Sequence, residues 1–444
     1  MLGLHPIASE RILHNWLDSY FQLQKNGTSV RQELIAGATT FLAMAYITVV
    51  NPAILSETGM DFGAVFVATC IAAAVGSLLM GLAANYPIGL APGMGQNAFF
   101  TYAIVITSGF AWQTALGAVF ISGVLFLILT ILPVREWLIN SIPRNLKLGM
   151  AAGIGLFLAL IAMQNAGLVV DNPATLVGFG DLTSFGPAAA VVGFVLIVAL
   201  TARKVRGAVI IGMLLVAAAG WLAGAAEFKG VVSSPPSVAP VFMQLDIASA
   251  LSLSMVTVIL SLLLVDVFDT AGTLVGVATR GDLLRPDGKL PRLRAALFAD
   301  SGATLVGSVV GTSSTTSFIE SAAGVEAGGR TGLTAVVVAI AFMCCLLLAP
   351  LAQSVPAYAS SAALLFVASV MARSLADLDW DDATEASPAV ITALAMPLSF
   401  SIADGIGLGF ITYAAVKLLS GRYNECPPAI YLIAAVFGAK FVLL

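Results

Sequence analysis

"GTSSTTSFIESAAG", residues 311–324, is a polar stretch between two long apolar runs. Every residue from Thr312 to Ser317 carries a hydroxyl group, and the carboxylate of Glu320 follows three residues later. Such a stretch is too polar to cross a bilayer as an ordinary helix, although its neighbours have the composition of membrane-spanning segments. We expect its β-branched and hydroxyl-rich beginning to be extended and a helix to begin near Ser317.

A second stretch, "GLAPGMGQNAFF" at residues 89–100, has the same plan. Pro92 and the glycines around it exclude a regular helix before about Gly95, so that a helix can begin near Gln96 or Asn97. At membrane depth, extended backbone is tolerated only inside protein or beside a water-filled cavity. The two stretches therefore predict a matched pair of broken membrane segments, each an extended piece followed by a half-helix.

The rest of the chain has the composition of an all-α polytopic membrane protein. Of its 444 residues, 59% are hydrophobic and only 10% are charged, and the mean hydropathy is +0.99. A soluble domain carries about 25% charged residues. We therefore expect a lipid bilayer around the chain and insertion by the first spanning helix rather than by a cleaved signal peptide. No basic patch suggests a nucleic-acid partner.

The apolar pattern predicts fourteen transmembrane segments. Their approximate bounds are 33–54, 63–83, 87–107, 112–132, 147–166, 187–203, 207–224, 250–278, 292–310, 311–328, 331–350, 357–374, 387–401 and 403–419. Seven segments precede a polar loop and seven follow it, and an odd number in each half makes the two repeats inverted in the membrane. The predicted divisions are an N-terminal segment 1–30, a first repeat 31–224, a connecting loop 225–249, a second repeat 250–420 and a C-terminal apolar segment 421–444.

A last apolar run, residues 428–444, fits either a fifteenth span or a helix on the inner membrane surface, and we favour the surface helix. The orientation follows from the basic residues, because cytoplasmic loops of membrane proteins are enriched in Lys and Arg. The loops at 55–62 and 167–186 contain neither residue and the loop at 225–249 contains only Lys229, whereas several Lys and Arg residues lie within 135–147, 203–206 and 280–294. This asymmetry predicts a multi-pass protein of the plasma membrane with a cytoplasmic N-terminus and an extracytoplasmic connecting loop.

The eighth segment contains two carboxylates, Asp266 and Asp269, in "DVFDTAGTL". Their spacing of three residues places them near one face of a helix. Carboxylates inside a membrane are costly and by default indicate a functional site. Glu320 is a third candidate, because the dipole of its half-helix and its desolvation act in opposite directions on its charge. A structural role carries equal weight for Asp300 and more weight for Glu326 and Asp404.

The scarcity of histidine and cysteine limits which side chains can transfer protons or bind a metal. Its only histidines, His5 and His14, lie in the N-terminal tail, so proton transfer within the helices falls to carboxylates. Its four cysteines have neither the spacing of a metal site nor that of a disulfide framework. We expect no cofactor and no metal, and nothing supports an intramembrane enzyme, since the apolar segments contain no Ser/His or Cys/His pair.

The motifs resemble those of the nucleobase-cation symporter-2 family, in particular its AzgA-like purine permease branch. Six stretches carry the resemblance, in family order from about residue 30 to 425: "TTFLAMAYITVVNPAIL", "GLAPGMGQNAFFTY", "MQNAGLVV", "DVFDTAGTL", "GTSSTTSFIESAAG" and "PLSFSIADGIGLGF". The resemblance implies fourteen segments in two inverted repeats. It also implies a core domain (segments 1–4 and 8–11) that moves against a gate domain (5–7 and 12–14), with the ligand between segments three and ten.

The resemblance also implies roles for single residues. By motif, Asn97 matches an essential Asn of the family, Asp266 and Asp269 cover its acidic pair in segment eight, and Glu320 matches its acidic residue in segment ten. The register of related uracil and xanthine transporters selects Asp269, with Thr273 nearby. The spacing of the second polar group differs between branches, so that both aspartates stay candidates.

Three further residues flank these polar groups and complete the predicted substrate site. Phe268 and Phe318 offer rings that can stack on a planar ligand, and Ser321 offers a hydroxyl beside the segment-ten carboxylate. A purine base is planar and neutral, with N–H donors and acceptors on its edges that carboxylates and an amide can match. The motifs do not choose among guanine, hypoxanthine and adenine.

The resulting hypothesis is import of purine nucleobases by proton symport, with elevator-like alternating access. Glu320, Asp269 or Asp266 would carry the proton, because protonation lowers the cost of moving a buried anion. Sodium stays open as the coupling ion, since Asp and hydroxyl oxygens suit a hard cation, and the family resemblance is compatible with a homodimer. The second hypothesis is an anion transporter or channel on a related inverted-repeat scaffold, with the anion at paired half-helix N-termini.

Overall fold

The computed structural model describes residues 16–132, 142–284 and 290–443, apart from the side chains of Phe268 and Leu443. Helices dominate this part of the chain, as expected for an all-α polytopic membrane protein. Two short antiparallel sheets accompany the helices, and each has two strands. His5 and His14 lie outside the described residues.

The elements of the first half alternate long helices with short irregular pieces. They are α1 (Val30–Met44), α2 (Ile47–Ser56), α3 (Phe62–Leu79), β1 (Leu90–Pro92), α4 (Met94–Ala98), α5 (Trp112–Ile131), α6 (Arg144–Asn165), β2 (Val169–Asn172), β3 (Leu176–Phe179), α7 (Phe185–Ala202) and α8 (Ala208–Leu222). Two π-helical pieces, Met80–Ala84 and Phe99–Thr107, continue α3 and α4.

The second half repeats this alternation. Its elements are α9 (Ile247–Ala250), α10 (Val256–Arg280), α11 (Leu293–Val310), β4 (Thr315–Ser317), α12 (Ser321–Glu326), α13 (Gly332–Cys345), α14 (Ala349–Gln353), α15 (Ala357–Ala372), α16 (Ala383–Ser399), α17 (Ile402–Leu419) and α18 (Pro428–Leu443).

Within the described ranges, ten helical stretches are long and apolar enough to cross a membrane. Four predicted segments are not among these ten. The third and tenth are broken into a strand and a short helix, while the seventh and thirteenth correspond to α8, with 15 residues, and α16, with 17 residues. The chain is thus a multi-pass membrane protein, and the count of fourteen stays a prediction.

The two broken segments meet through their extended parts. Strands β1 and β4 pair antiparallel, with Leu90 opposite Ser317 and Pro92 opposite Thr315, and all six strand residues are buried. We call the place where β1 and β4 pair the crossing. Because the strands are antiparallel, the half-helices that follow them, α4 and α12, leave the crossing in opposite directions. The extended beginnings inferred from the Pro, Gly and hydroxyl patterns are therefore present, although α12 begins four residues after the predicted start at Ser317.

A glycine turns the chain from α11 into the hydroxyl-rich strand. Gly311 follows the last residue of α11 with φ of 100°, a left-handed conformation that an L side chain rarely adopts. A Cβ added there would also lie 2.5 Å from the Val241 side chain in the loop between the two halves. The opening glycine of the quoted stretch thus ends one helix and admits close packing of the connecting loop.

The helices form two groups. The first, here called the strand-bearing bundle, contains α1–α5 and α10–α13 together with β1 and β4. In this bundle, Gly76 of α3 packs against Ala303 of α11, where an added Cβ would lie 2.9 Å from the Ala303 methyl group. The second, here called the flanking bundle, contains α6–α8 and α15–α17. Gly149 of α6 packs on α16 so closely that a Cβ would lie 2.5 Å from the carbonyl oxygen of Ala389.

A buried carboxylate fixes the first helix to α13. Glu33 of α1 is fully buried and accepts hydrogen bonds from the backbone N–H groups of Arg330 at 2.9 Å and Thr334 at 3.1 Å, and from the Thr334 hydroxyl at 2.6 Å. The N-terminus of α13 thereby receives acceptors for groups that a helix leaves unpaired. The beginning of α1 consequently lies beside the end of α12, where Gln32 also donates to the Ala327 carbonyl.

The last apolar run of the sequence forms the C-terminal helix, α18. Helix α18 packs antiparallel along α17: the Phe437 ring lies over Gly407, and Lys440 Nζ is 2.5 Å from Asp404 Oδ1. Asp404 lies at the beginning of α17, far from the loop that joins the two helices. This packing along α17 favours the alternative of a fifteenth span, and the position of α18 relative to the membrane stays a prediction. The small Gly407 and the ion pair bring α18 back beside α17.

Candidate functional site

A cavity of about 690 Å³ lies between the two bundles. The strand-bearing bundle contributes residues 93–95 and 316–320, at the points where the paired strands pass into their half-helices, together with Asp269 and Thr273 of α10. The flanking bundle contributes residues 204–209 and one face of α15. The crossing of the two broken segments thus forms one wall of a cleft between separately packed groups of helices.

Two glycines of the third segment permit this close approach. A Cβ at Gly93 would lie 2.7 Å from the Thr316 methyl group on the paired strand. A Cβ at Gly95 would lie 2.5 Å from Ile154 Cγ2, on α6 of the flanking bundle. Both distances are well below van der Waals contact, so side chains at these positions would push the neighbouring elements apart.

Asp269 and Thr273 project from α10 into the cavity, one helical turn apart. The Asp269 side chain is exposed to the cavity, and it has no hydrogen-bond or ion-pair partner in the part of the chain that the structure describes. An unpartnered carboxylate that faces an open space can bind a donor from a ligand or take up a proton.

Glu320 faces the same cavity from the residue that precedes α12. The Tyr46 hydroxyl of the first segment donates a hydrogen bond of 2.6 Å to Glu320 Oε1, which holds one carboxylate oxygen toward the junction of α1 and α2. The second oxygen keeps acceptor capacity for a ligand. Asp269 and Glu320 therefore present two carboxylates to one space.

Asp266 lies outside this cavity. Its carboxylate is fully buried, accepts a hydrogen bond of 2.9 Å from Gln96 Nε2 and lies 3.4 Å from the Thr304 hydroxyl. These contacts fix the half-helix α4 to α10 and α11. The two aspartates of the predicted acidic pair thus have different surroundings, since only Asp269 lines the cavity.

Asn97 and Ser321 also lie within the crossing rather than on the cavity wall. The Ser313 hydroxyl donates to the side-chain oxygen of Asn97, while the buried Asn97 Nδ2 has no partner among the described residues. Ser321 Oγ accepts a hydrogen bond of 3.0 Å from the backbone N–H of Gly89. Both side chains connect the third segment to the tenth.

Asp300, which the sequence left undecided, is an organising residue of the crossing. It is fully buried and accepts hydrogen bonds from Thr270 Oγ1 at 2.7 Å, from the backbone N–H of Ser317 at 3.0 Å and from Ser317 Oγ at 3.1 Å. Thr270 Oγ1 is also 2.9 Å from Thr316 Oγ1. This carboxylate therefore fixes the strand that lines the cavity to the helix that carries Asp269.

The apolar part of the cavity wall comes from both bundles. Phe318 and Ile319 line the cavity from the tenth segment, while the side chain of Phe268 lies outside the described residues. Phe366 and Met371 of α15 line it from the flanking bundle. Sequence reasoning missed the α15 residues, because an apolar residue on an apolar helix gives no local signal of a cavity.

The cavity opens at the end where Arg280 completes α10 and Glu326 completes α12. At the far end of the first segment, Glu57 belongs to a hydrogen-bonded triangle between the bundles. Tyr102 OH donates to Glu57 Oε1 at 2.8 Å, and Asn165 Nδ2 lies 3.1 Å from both of these atoms. The cavity therefore reaches exposed residues at one end of the cleft, and side chains of the two bundles are hydrogen-bonded at the other.

Comparison with known proteins places this architecture in a family. Residues 31–408 match the model of a family described as the Permease family. The chain is 46% identical over 440 residues to the adenine permease AdeP of Escherichia coli, covering 99% of each chain. It is 45% identical over 432 residues to the guanine/hypoxanthine permease PbuO of Bacillus subtilis, covering 96% of this chain and all of that one.

Among solved structures, the transmembrane domain of the cyanobacterial bicarbonate transporter BicA has a similar fold. The TM-score is 0.64 at 14% sequence identity, and the match covers 84% of this chain and 96% of that domain. At this identity the likeness concerns the fold alone. The permease relatives, which match along nearly the whole chain, show instead that this chain belongs to the nucleobase-cation symporter-2 family of permeases.

Proposed function

We propose that this chain imports purine nucleobases. The observation that carries the proposal is the cleft itself, in which two carboxylates, Asp269 and Glu320, face apolar and aromatic walls. The similar proteins AdeP and PbuO are permeases for adenine and for guanine and hypoxanthine. The Glu320 carboxylate accepts an N–H group of the base edge, while Phe318 and Phe366 cover the faces of the base.

Proton symport fits the state of Asp269. Its carboxylate faces the cavity without a partner among the described residues, whereas Tyr46 already donates to Glu320. A proton on Asp269 removes the charge that would otherwise have to move through a low-dielectric cleft. We propose that Asp269 takes up the coupled proton and that Glu320 binds the base.

The arrangement of the bundles supports alternating access. The strand-bearing bundle contains the segments expected for the core domain and the flanking bundle those expected for the gate domain, and the cavity between them reaches exposed residues at one end. The open end lies near Arg280 and near three basic residues of the loop between α7 and α8, Arg203, Lys204 and Arg206, and the positive-inside rule assigns such an end to the cytoplasm. We therefore interpret the structure as an inward-facing state of a plasma-membrane protein with a cytoplasmic N-terminus.

In this interpretation, the Glu57–Tyr102–Asn165 triangle closes the extracytoplasmic end. Replacing Asn165 by Leu removes the contribution of the flanking bundle to the triangle, and the outward-facing state should become more populated. We expect the KM for uptake into right-side-out vesicles to fall about fivefold, because more protein is competent to bind from outside. The control is Asn172→Leu, since Asn172 accepts from Ala174 within its own hairpin. An unchanged KM in Asn165→Leu would remove the triangle from the transport cycle.

The direct test is uptake of radiolabelled adenine, guanine and hypoxanthine into proteoliposomes. We expect accumulation of at least one base when a pH gradient, acidic outside, is the only driving force. Uptake that depends on a sodium gradient and not on pH would identify sodium, and not the proton, as the coupling ion. Transport of chloride or sulfate without transport of any base would instead support the anion transporter, which the deep carboxylates disfavour.

A further inference from the structure

The open end of the cleft carries positive charge that a neutral base does not need. Lys204 and Arg206, in the loop between α7 and α8, and Arg280, at the end of α10, all line the cavity. We call these three residues the cationic rim. All three side chains are exposed, so they face both the surrounding water and the cavity that Asp269 and Glu320 line at its deeper part.

The rim has an excess of positive charge. Among the described residues, the carboxylate that lines the mouth beside it is Glu326, whose Oε1 lies 3.3 Å from Arg280 Nη1. Lys204 and Arg206 have no ion-pair partner within the described ranges. Charges of one sign at the mouth of a low-dielectric cleft focus the electric field and concentrate counter-ions there. The rim is therefore suited to an anionic group.

The cavity is large enough to hold such a group together with a base. Its volume of about 690 Å³ lies within the range of roughly 300–1,000 Å³ that holds drug-sized ligands. Asp269 and Arg280 are both on α10, and at about 1.5 Å per residue their Cα atoms lie about 16 Å apart along the helix axis. A ligand with a base at one end and an anion at the other can span this separation, because the side chains of Lys and Arg are long and flexible enough to shorten it.

We propose that the cationic rim binds the phosphate of a purine nucleoside 5′-monophosphate whose base occupies the deep site, so that cytoplasmic nucleotide blocks the inward-facing state. This inference rests on the proposed function and extends it to regulation. A phosphate monoester carries a charge of about −1.5 to −2 at neutral pH, and Arg and Lys are its usual partners. The dianion cannot pass beyond the carboxylates, because desolvating it there is costly, so that the nucleotide inhibits without being transported.

The test compares nucleoside and nucleotide on the purified, full-length protein. Bound radiolabelled base is displaced with adenosine, guanosine or inosine, or with the corresponding 5′-monophosphate, in vesicles of phosphatidylcholine at low and high salt. We expect the monophosphate to bind at least about tenfold more tightly than its nucleoside, with a difference that shrinks as salt rises. In Lys204→Gln/Arg206→Gln the two affinities should converge.

The chain offers a matched control in the same loop. Arg203 is also exposed and basic, yet it does not line the cavity, so Arg203→Gln should keep the tenfold difference. If Arg203→Gln abolishes it as well, the effect is one of overall charge and the inference fails. Equal affinities of nucleotide and nucleoside in the wild type also overturn it.

A lipid headgroup offers the same phosphate chemistry, so the experiment is repeated in phosphatidylglycerol vesicles. We expect the preference for nucleotide to persist there. Its loss in phosphatidylglycerol would assign the rim to a lipid phosphate and overturn the nucleotide proposal. If the wild-type protein binds no base, the proposed function is contradicted. If it binds base but shows no preference for nucleotide over nucleoside, only the inference about the cationic rim is contradicted.

Discussion

Replacing Asp269 by Asn is expected to abolish the accumulation of purine base that a pH gradient drives, while exchange of base across the membrane stays measurable. Asparagine takes up no proton at neutral pH, so the variant can no longer couple proton entry to base entry. It still offers an acceptor and a donor to a base edge. Because asparagine is neutral, as the protonated Asp269 is, and the base keeps its hydrogen bond to Glu320, the KM for exchange should change by less than about tenfold.

Two assays on the same proteoliposomes separate coupling from binding. Uphill accumulation is measured with a pH gradient alone, and exchange is measured with base on both sides and no gradient. The matched control is Asp266→Asn, three residues away on the same helix but buried against Gln96 and Thr304. We expect this control to lower thermal stability and to keep the dependence of uptake on the pH gradient.

The opposite outcome would assign the role of proton carrier to Glu320, the other carboxylate of the cavity. If Asp269→Asn still accumulates base against its gradient, Asp269 is not the proton carrier. Glu320→Gln should then lose accumulation instead, although its side-chain amide oxygen can still accept from Tyr46. If neither variant loses accumulation, the proton model itself is contradicted, because these are the two carboxylates that the described part of the cavity presents deep within it.

The broken segments were predictable because their signals are local. Proline and glycine exclude helix wherever they occur, and hydroxyl-bearing β-branched residues favour extended backbone, so "GLAPGMGQNAFF" and the stretch from Gly311 to Gly324 each indicate a strand before a helix. The pairing of the two strands with each other is a tertiary contact between distant parts of the chain, which the local sequence does not predict. Their antiparallel register is set by Asp300, the glycines of the third segment and the hydroxyls between them.

The roles of Asp266 and Asp269 were not separable from the sequence. Two residues that are three positions apart on an α-helix differ by about 60° around its axis. Both carboxylates therefore lie on the same face, and either of them can point into a cavity. The rotation of α10 decides between them, and packing against α4 and α11 fixes that rotation. The register of related transporters selects Asp269, but the spacing of the second polar group differs between branches, so the resemblance kept both aspartates as candidates.

Long-range partners account for the remaining differences. The wall that α15 contributes and the return of α18 along α17 both depend on residues far away in the sequence, such as Asp404 for Lys440. Apolar helices look alike whether they face lipid, a neighbouring helix or a cavity. Hydrophobic periodicity could therefore locate these helices and not assign their faces.

Gly95 of the strand-bearing bundle lies in close contact with Ile154 of the flanking bundle. Gly95→Ala is expected to lower the initial rate of purine uptake about ten- to a hundredfold, because overpacking of a close contact costs about 1–3 kcal/mol and a change of about 1.4 kcal/mol is tenfold in rate. The overlap is with Ile154 Cγ2 of the flanking bundle, at 2.5 Å from an added Cβ. Alanine itself suits a helix better than glycine, so the half-helix α4 should stay folded while the bundles are forced apart.

A second substitution distinguishes a strained contact from a narrowed binding site. Ile154→Leu keeps the side-chain volume but removes the branch at Cβ that the new methyl group meets, so Gly95→Ala/Ile154→Leu should regain most of the lost rate. Gly272→Ala on α10 is the neutral control, because a Cβ there meets no atom within 4 Å. Uptake rates are normalised to folded protein by size-exclusion chromatography. A double variant no faster than Gly95→Ala would mean that the methyl group obstructs the base itself and that the distance between the bundles at this contact does not limit transport.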